Sequence, residues 1–279
     1  AAVKAGIEYV SRSLPRIYES FANLTKQRRI LVFCARGGMR SESVAGLFAS
    51  IGFPVTKLTN GYKGYRQHIL LKLPELIAQK KFVTLYGKTG TGKTHILHEI
   101  ERLGYDILDL EACANHRGSL LGAVGLPIKR SQKQFETLLY NALYNAKSDT
   151  IFTEGESKRI GTIYIPNELM DRLDCGRKLV IEATIETRKE VIREDYIGDN
   201  FDKASAIEGL TKLVRYIGTE RVQEYTDLIE SASYDKVIEE LMIRYYDIVY
   251  NTTDSHERTF LNTSAEETAK EIVEYIFPF

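Results

Sequence analysis

The stretch FCARGGMRS, residues 33–41, combines a cysteine, a glycine pair and two arginines within one short turn. Cys34 ends an apolar run typical of a buried strand, and a predicted helix begins near Arg40. The glycine pair permits positive φ, so backbone N–H groups can converge on whatever the sulfur carries. The helix dipole and the charges of Arg36 and Arg40 favour the thiolate. The pattern predicts a nucleophilic cysteine in an anion-binding loop.

Two other interpretations of this cysteine stay open. A free cysteine at the end of a strand is most often a buried structural residue. The spacing Cys-x5-Arg-Ser from Cys34 to Ser41 also suits a cysteine-dependent phosphatase. Phe33 argues against the phosphatase, because it stands where such enzymes usually have a histidine.

A second anion-binding signal is GKTGTGKT, residues 87–94, which fits the pattern G-x-x-x-x-G-K-[ST] between a predicted strand and a predicted helix. Its glycines, Gly87, Gly90 and Gly92, let successive N–H groups point inward, and the helix N-terminus adds positive potential. Lys93 supplies a mobile charge for the outer phosphate, and Thr94 is the predicted Mg²⁺ ligand. The loop predicts a site for a diphosphate or triphosphate.

Carboxylates follow two later predicted strands. Asp109 and Glu111 lie in ILDLEA, and Glu154 and Glu156 lie in IFTEGES. The carboxyl ends of parallel strands meet at one edge of a sheet, so these groups are candidates for positioning Mg²⁺ or water. Taken singly, each is as readily explained as a solvated strand end.

The hydrophobic pattern predicts an α/β protein in which short apolar runs alternate with amphipathic helices. RRILVFC, VTKL and the helical patterns around them form one small α/β unit. After a connector, LPELIAQKK, strands are predicted at 82–86, 106–110, 150–154 and 178–184, in a mostly parallel sheet. Beyond residue 186 the pattern is nearly all helical. The predicted domains are 1–73, 80–200 for the P-loop α/β domain, and 201–279 for a helical C-terminal region.

Composition restricts the function classes. Lys+Arg and Asp+Glu each number 38, so any contact with nucleic acid must come from local basic patches. Three scattered cysteines are too few for a disulfide framework or a zinc site and indicate a reducing compartment. No apolar run is long enough to span a bilayer, and the N-terminal residues lack the pattern of a signal peptide. A cytoplasmic location is the expectation.

Longer motifs accompany these two loops. FCARGGMRS resembles the active loop of rhodanese-type sulfurtransferases, and GKTGTGKT is followed by DLEACANHRGSLLG, SQKQFETLLYNAL and TEGESKRIG. In that order the motifs resemble the bacterial tRNA 2-selenouridine synthase family, from about residue 30 into the 190s. The phrase LEACANHRGSLLGA is far more specific than a P-loop alone.

That resemblance implies a transferase acting on the wobble 2-thiouridine of certain tRNAs. The sulfur is first geranylated from geranyl diphosphate, and the geranylthio group is then exchanged for selenium from selenophosphate. The loop from Gly87 to Thr94 would hold the diphosphate or a nucleotide. Cys34, with Arg36 and Arg40, would handle selenium. Whether ATP ever occupies the P-loop is left open.

Further residues are candidates for contacts with the substrate or the tRNA backbone because most of them are polar or basic and follow predicted strands. Arg188 is included because RKEVIRED, residues 188–195, resembles the arginine-bearing helix that closes over phosphates in small P-loop kinases, although ion pairs with Glu190 and Glu194 would also explain it. Without the resemblance each would be assigned to a solvated surface. They are Asn115, His116, Arg117, Lys129, Arg130, Glu154, Lys158, Arg159 and Arg188.

Only 33 residues precede Cys34, whereas a rhodanese-like domain usually has about 100 in all, so the first domain is expected to be minimal or to lack its N-terminal part. Two rival functions follow from that expectation. One is a P-loop phosphotransferase of unknown acceptor with a degenerate rhodanese-like appendage. The other is a binding protein in which the P-loop is a structural nucleotide site.

Overall fold

A computed structural model describes residues 2–21, 29–119, 121–126, 129–197, 201–249, 253 and 255–278. The chain divides into two units, residues 1–70 and residues 71–279. No helix in the described part of the chain has the length and apolar character needed to cross a membrane.

The N-terminal elements alternate between helix and strand, as the sequence predicts. In chain order they are α1 (Ala2–Phe21), β1 (Ile30–Val32), α2 (Met39–Ser50), β2 (Val55–Lys57) and α3 (Gly61–Gln79). β1 and β2 pair in parallel, with Ile30 opposite Val55. Ile30, Phe48 and Phe53 form the small core of this unit, and the rings of Phe48 and Phe53 meet edge to face at 5.6 Å.

The stretch LPELIAQKK is mostly helical, and its assignment as a connector is wrong. Residues 73–79 continue α3, with Pro74 inside the helix. Leu73 and Ile77 are 3% and 1% exposed, so apolar burial stabilises this half of the helix despite the lost backbone donor of Pro74.

The second unit begins with strand–helix alternation. Its elements up to residue 196 are β3 (Lys81–Tyr86), α4 (Lys93–Arg102), β4 (Ile107–Leu108), α5 (Leu110–Ala114), α6 (Gln132–Asn145), β5 (Thr150–Glu154), β6 (Arg159–Ile160), β7 (Ile163–Tyr164), α7 (Asn167–Cys175), β8 (Arg177–Glu182) and α8 (Ile185–Tyr196). The four strands predicted for this sheet are all present, and β6 and β7 form a separate antiparallel hairpin.

The remaining elements are mainly helical. They are α9 (Lys203–Thr211), α10 (Val214–Ile217), α11 (Thr219–Glu230), α12 (Tyr234–Leu241), a π-helical turn (Met242–Tyr246), α13 (Asp247–Val249), β9 (Arg258–Leu261) and α14 (Ala265–Ile276). The helices between Ala206 and Tyr246 bury their own apolar cluster, which includes Leu210, Tyr225 and Leu241. The predicted α/β class with a parallel sheet and a helical C-terminal region is confirmed.

The description of residues 201–279 as a helical region misses β9. The sheet order is β4-β5-β3-β8-β9, and every neighbouring pair is parallel, so β9 forms one edge of the main sheet. Phe260 of β9 joins the sheet core, and α14 packs against α4. The last helix therefore belongs to the P-loop fold. The carboxyl ends of these five strands lie at one edge, where ligands of open parallel sheets bind.

Candidate active site

The P-loop leaves the central strand β3 and ends at the first turn of α4. Gly90 and Gly92 have φ of 81° and 82°, which residues with a side chain rarely adopt. A Cβ on Gly92 would lie 2.5 Å from Asn262 Nδ2, and one on Gly90 would lie 2.9 Å from the Arg188 carbonyl oxygen. The glycines thus satisfy both the turn geometry and close packing against β9 and α8.

Lys93 is folded over this loop. Its Nζ donates to the carbonyl oxygens of Gly87 at 2.9 Å and Lys88 at 3.3 Å. These are weak partners for an ammonium group compared with a phosphate oxygen. The side chain is therefore positioned to exchange them for an anion bound in the loop.

Thr94 bonds to the strand beside it. Its hydroxyl donates to Glu154 Oε2 at 2.8 Å, and the backbone N–H of Glu111 donates to Glu154 Oε1 at 3.2 Å. Glu154 is fully buried. Burial, together with the charges of Asp109 and Glu156, raises the pKa of Glu154 well above its usual range.

Two further carboxyl groups, Glu111 and Glu156, line the same cleft. Burial, followed by the charges of Glu154 and Glu156, raises the pKa of Glu111 to about 10. Burial also raises the pKa of Glu156, although the charge of Lys93 and a hydrogen bond with Glu111 act in the opposite direction. The buried carboxyl cluster of Glu111, Glu154 and Glu156 therefore lacks enough nearby positive charge to keep all three groups ionised.

This arrangement fits Mg²⁺. The Thr94 hydroxyl with carboxylates behind it is the oxygen-rich set that Mg²⁺ takes together with phosphate oxygens. Within the described residues, no three His, Cys, Asp or Glu side chains converge as a metal site made by protein alone. Thr94 would hold the ion jointly with a bound diphosphate, and the ion would neutralise charge on the phosphate oxygens.

The cleft has a volume of about 390 Å³. Its far wall comes from the loop at Arg117 and from α8. Arg117 donates to the carbonyl oxygen of Val124 at 2.8 Å and stacks on the ring of Tyr196 at 4.7 Å. His95 Nε2 lies 2.9 Å from Asp195 Oδ1, which ties α4 to α8 beside the cleft.

Arg188, predicted to contact substrate, is held elsewhere. It is 5% exposed and is absent from the cleft wall. Its guanidinium binds Asp247 through two bonds of 3.0 and 2.7 Å and donates to the Thr89 carbonyl oxygen at 2.9 Å. Lys88 Nζ also reaches Asp247, at 3.2 Å. In this structure Arg188 supports the P-loop through its hydrogen bond to the Thr89 carbonyl oxygen and does not line the cleft.

Of the other predicted contacts, Arg117 lines the cleft and Glu154 lies behind Thr94. His116 is packed against Gly122 and Gly161, where a Cβ would come within 2.8 and 2.7 Å of its ring. Asn115 caps the C-terminus of α5 with φ of 51°. Four basic residues lie outside the cleft wall, with all except Arg130 exposed: Lys129, Arg130, Lys158 and Arg159.

The cysteine loop lies in the first unit. Cys34 Sγ is 3.3 Å from Ser41 Oγ, and the Ser41 hydroxyl bonds to the Gly38 carbonyl oxygen at 3.0 Å. The first turn of α3 supports the loop, since Tyr62 N–H donates to the Cys34 carbonyl oxygen at 2.9 Å. The pKa of Cys34 is lowered to about 6, first by Ser41 and then by the Arg36 backbone N–H.

The cause of that lowered pKa differs from the sequence argument, which assigned it to the helix dipole and to the side-chain charges of Arg36 and Arg40. Hydroxyl and backbone hydrogen bonds account for the lowered pKa instead. Ser41 is 2% exposed, and the sequence argument assigns it no part in lowering the pKa of Cys34. Its position seven residues after Cys34, at the first turn of a helix, was the available signal.

Two residues that hold the P-loop were also missed. Asn262 Nδ2 donates to the Thr91 carbonyl oxygen at 2.9 Å and follows β9, whose short apolar run TFL was a readable strand signal. Asp247 lies among helices, and nothing in its local sequence marks it as a partner of Lys88 and Arg188.

Comparison with known proteins agrees with these observations. The family model described as the tRNA 2-selenouridine synthase AAA domain matches residues 80–277. The tRNA 2-selenouridine synthase of Nitrosomonas europaea is 28% identical, over 99% of this chain and 83% of that protein. The enzyme of the same name from Hydrogenovibrio crunogenus is 30% identical, over 90% of this chain and 76% of that protein.

Among solved structures, shikimate kinase from Acinetobacter baumannii is 14% identical, over 73% of this chain and 96% of that one, with a TM-score of 0.32. That similarity is too weak to support a functional argument. The family match spans the P-loop, the carboxylate cluster and β9. The chain therefore belongs to the tRNA 2-selenouridine synthase family.

Proposed function

We propose that this protein is a tRNA-modifying transferase that converts the wobble 2-thiouridine of tRNA to 2-selenouridine. The observation that carries the proposal is the family match over residues 80–277, which includes the complete P-loop cleft. Because its substrate is tRNA, the enzyme works in the cytoplasm.

The first step is geranyl transfer in the P-loop cleft. The sulfur of 2-thiouridine attacks C1 of geranyl diphosphate, the C–O bond breaks, and diphosphate leaves. Lys93 and the N–H groups of the loop, including those of Gly90 and Gly92, stabilise the charge that develops on the leaving oxygen. The Lys93 bonds to two backbone carbonyl oxygens support this role, because a diphosphate is a much stronger acceptor.

In the second step the selenium of selenophosphate attacks C2, so a C2–Se bond forms as the C2–S bond breaks and geranylthiol leaves; water then cleaves the Se–P bond and releases phosphate. We assign Cys34 to this step. Its pKa of about 6 supports the assignment, since the sulfur is mostly thiolate at neutral pH and can help to position the selenium donor. The loop of residues 35–40, with Arg36 and Arg40, would hold the phosphate portion of the donor.

The tRNA backbone would be held by basic side chains at two places, Lys129 with Arg130, and Lys158 with Arg159 at the start of β6. Lys129, Lys158 and Arg159 are exposed, so they can reach phosphates. Such contacts make affinity salt-dependent through counterion release. Reversing the charge at Lys158 and Arg159 should flatten the dependence of tRNA affinity on salt.

The proposed function is tested by mass spectrometry of nucleosides from 2-thiouridine tRNA. The purified chain is incubated with geranyl diphosphate first and with selenophosphate afterwards. Geranylated nucleoside followed by selenouridine is the expected result. Geranylation without exchange would restrict the activity to the P-loop unit. Absence of both products, combined with ATP turnover in the absence of tRNA, would overturn the proposal in favour of a phosphotransferase.

A further inference from the structure

An apolar cavity lies in the second unit beside the P-loop cleft. Side chains of α8, α9, α11, α12 and the loop at Leu121 surround it. Its wall is hydrocarbon and aromatic, and includes Leu121, Val124, Phe201, Leu210, Tyr234 and Leu241. Neither the proposed chemistry at the P-loop nor the Cys34 loop uses this cavity.

The cavity and the P-loop cleft share part of their walls. Thr89, Ile192 and Tyr196 line both. At this junction the hydroxyls of Tyr196 and Tyr246 lie 3.2 and 3.4 Å from Ser119 Oγ, so the polar ends of both rings meet the same serine hydroxyl there. A ligand that crosses the junction would contact phosphate-binding groups of the protein at one end and apolar side chains at the other.

We propose that this cavity binds the hydrocarbon chain of a short linear prenyl diphosphate whose diphosphate lies in the P-loop. The inference rests on the proposed function and extends it to the part of the donor that the P-loop does not recognise. An amphiphile is the ligand that gains from both compartments, because its charged end is neutralised at Lys93 while each buried methylene leaves water.

The size of the cavity sets the class of chain. Its volume of about 80 Å³ accommodates only a short hydrocarbon chain, with the reacting carbon at the junction. A chain of one or two isoprene units is closer to this size than the three units of a farnesyl chain, so the cavity favours the shorter donors and would contribute to donor specificity.

Calorimetric titration of the full chain tests the inference without tRNA or selenium. The probes are inorganic pyrophosphate and the dimethylallyl, geranyl and farnesyl diphosphates. Geranyl diphosphate should bind at least tenfold more tightly than pyrophosphate, and farnesyl diphosphate should gain nothing over geranyl. Equal affinities for pyrophosphate and geranyl diphosphate would overturn the proposal.

Two substitutions on α9 form a matched pair. Ala206 is 8% exposed and lines the cavity, whereas Ala204 is exposed on the same helix. Ala206→Phe should lower the affinity for geranyl diphosphate at least tenfold and leave pyrophosphate affinity unchanged, which also shows that the variant is folded. Ala204→Phe should change neither. Equal losses in both variants, or none in either, would contradict the cavity assignment.

A variant with an enlarged cavity covers the case in which Ala206→Phe fails to fold. Phe201→Ala removes one wall and should improve farnesyl diphosphate binding several-fold relative to geranyl diphosphate. Unchanged relative affinity would count against the cavity. The proposed function and the cavity assignment can be contradicted independently. Affinity that depends on chain length, without any tRNA product, would contradict only the proposed function. A tRNA product formed at rates that do not depend on chain length would contradict only the cavity assignment.

Discussion

The two candidate anion-binding loops of this protein, at Cys34 and at residues 87–94, are built in different ways. The thiol of Cys34 obtains its hydrogen bonds from residues within the next seven positions, Arg36, Gly38 and Ser41, while the backbone of its loop is also held by Tyr62. The P-loop is held by partners far along the chain: Glu154, Arg188, Asp247 and Asn262. The causes of the lowered thiol pKa thus lie within a short segment, whereas the P-loop depends on the assembled sheet.

This difference has an energetic consequence. A substitution that removes a hydrogen bond of the Cys34 thiol should change reactivity with little effect on stability, because the thiol makes few bonds and is partly exposed. A perturbation of the supports of the P-loop should change stability and ligand affinity together, because Glu154, Arg188 and Asn262 are buried. Four substitutions test this contrast.

The largest effect is expected at Lys93. Lys93→Ala should weaken pyrophosphate and geranyl diphosphate binding roughly 100-fold, because it removes a charge-assisted hydrogen bond to the ligand. Calorimetric titration gives the affinities. Lys270→Ala, on the exposed side of α14, is the control and should leave them unchanged. Unaltered affinity in Lys93→Ala would show that the loop is not the diphosphate site.

A substitution at Asn262 tests whether residues far along the chain support the P-loop. Asn262→Ala should lower the free energy of unfolding by about 2 kcal/mol, since Nδ2 no longer pairs with the buried carbonyl oxygen of Thr91. Diphosphate affinity should fall several-fold as the loop loosens. Urea denaturation measures the stability. Asn141→Ala, exposed on α6, should stay within about 0.5 kcal/mol of the parent, and a similar small change at Asn262 would refute the support role.

The sequence predicted features whose signals are local. Glycine spacing located the P-loop, and short apolar runs located β3, β5 and β8. β9 was missed because it is only four residues long and stands between a long helical pattern and α14, so neighbours on either side favoured helix. Its identity as a sheet edge depends on pairing with β8, a contact that no local pattern encodes.

The residues of the candidate site divide in the same way, into those marked by local motifs and those defined by contacts far along the chain. Lys93, Thr94 and Cys34 were identified from motifs, and the structure places Lys93 and Thr94 in one cleft. Arg188 was assigned to substrate because a basic helix after a strand is compatible with that role. Its partner Asp247 lies 59 residues further along the chain. The local sequence therefore could not show whether Arg188 binds a ligand or forms an ion pair within the protein.

A substitution at Ser41 tests whether neighbouring residues lower the pKa of the Cys34 thiol. Because the pKa of Cys34 is about 6, alkylation by iodoacetamide should reach half its maximal rate near pH 6. Ser41→Ala removes the largest cause of the lowered pKa, so the thiolate fraction and the alkylation rate at pH 6 should fall roughly tenfold. Mass spectrometry resolves Cys34 from exposed Cys175, whose rate is the internal control. An unchanged pH profile would mean that backbone N–H groups suffice.

The smallest effect concerns Asp247 and is seen in the pH dependence of stability. Burial tends to raise the pKa of Asp247, but hydrogen bonds and charge from Arg188 and Lys88 outweigh it and leave the pKa lowered. A carboxyl group with a lowered folded pKa adds stability above its unfolded value of 3.8, and that stability is lost as the pH falls through the folded pKa. In Asp247→Asn this pH-dependent part should disappear.

The expected difference is about 1 kcal/mol between pH 7 and pH 3, because Asp247 is partly exposed and solvent screens the pair. Urea denaturation across that range, with Asp171→Asn on α7 as the control for removing one exposed carboxylate, measures it. Asp247→Asn should also weaken diphosphate binding slightly, since Lys88 and Arg188 both touch the P-loop backbone or belong to it. If its pH profile matches that of the Asp171 variant, the support of the loop comes from packing and from Asn262, and the ion pair between α8 and α13 contributes nothing measurable.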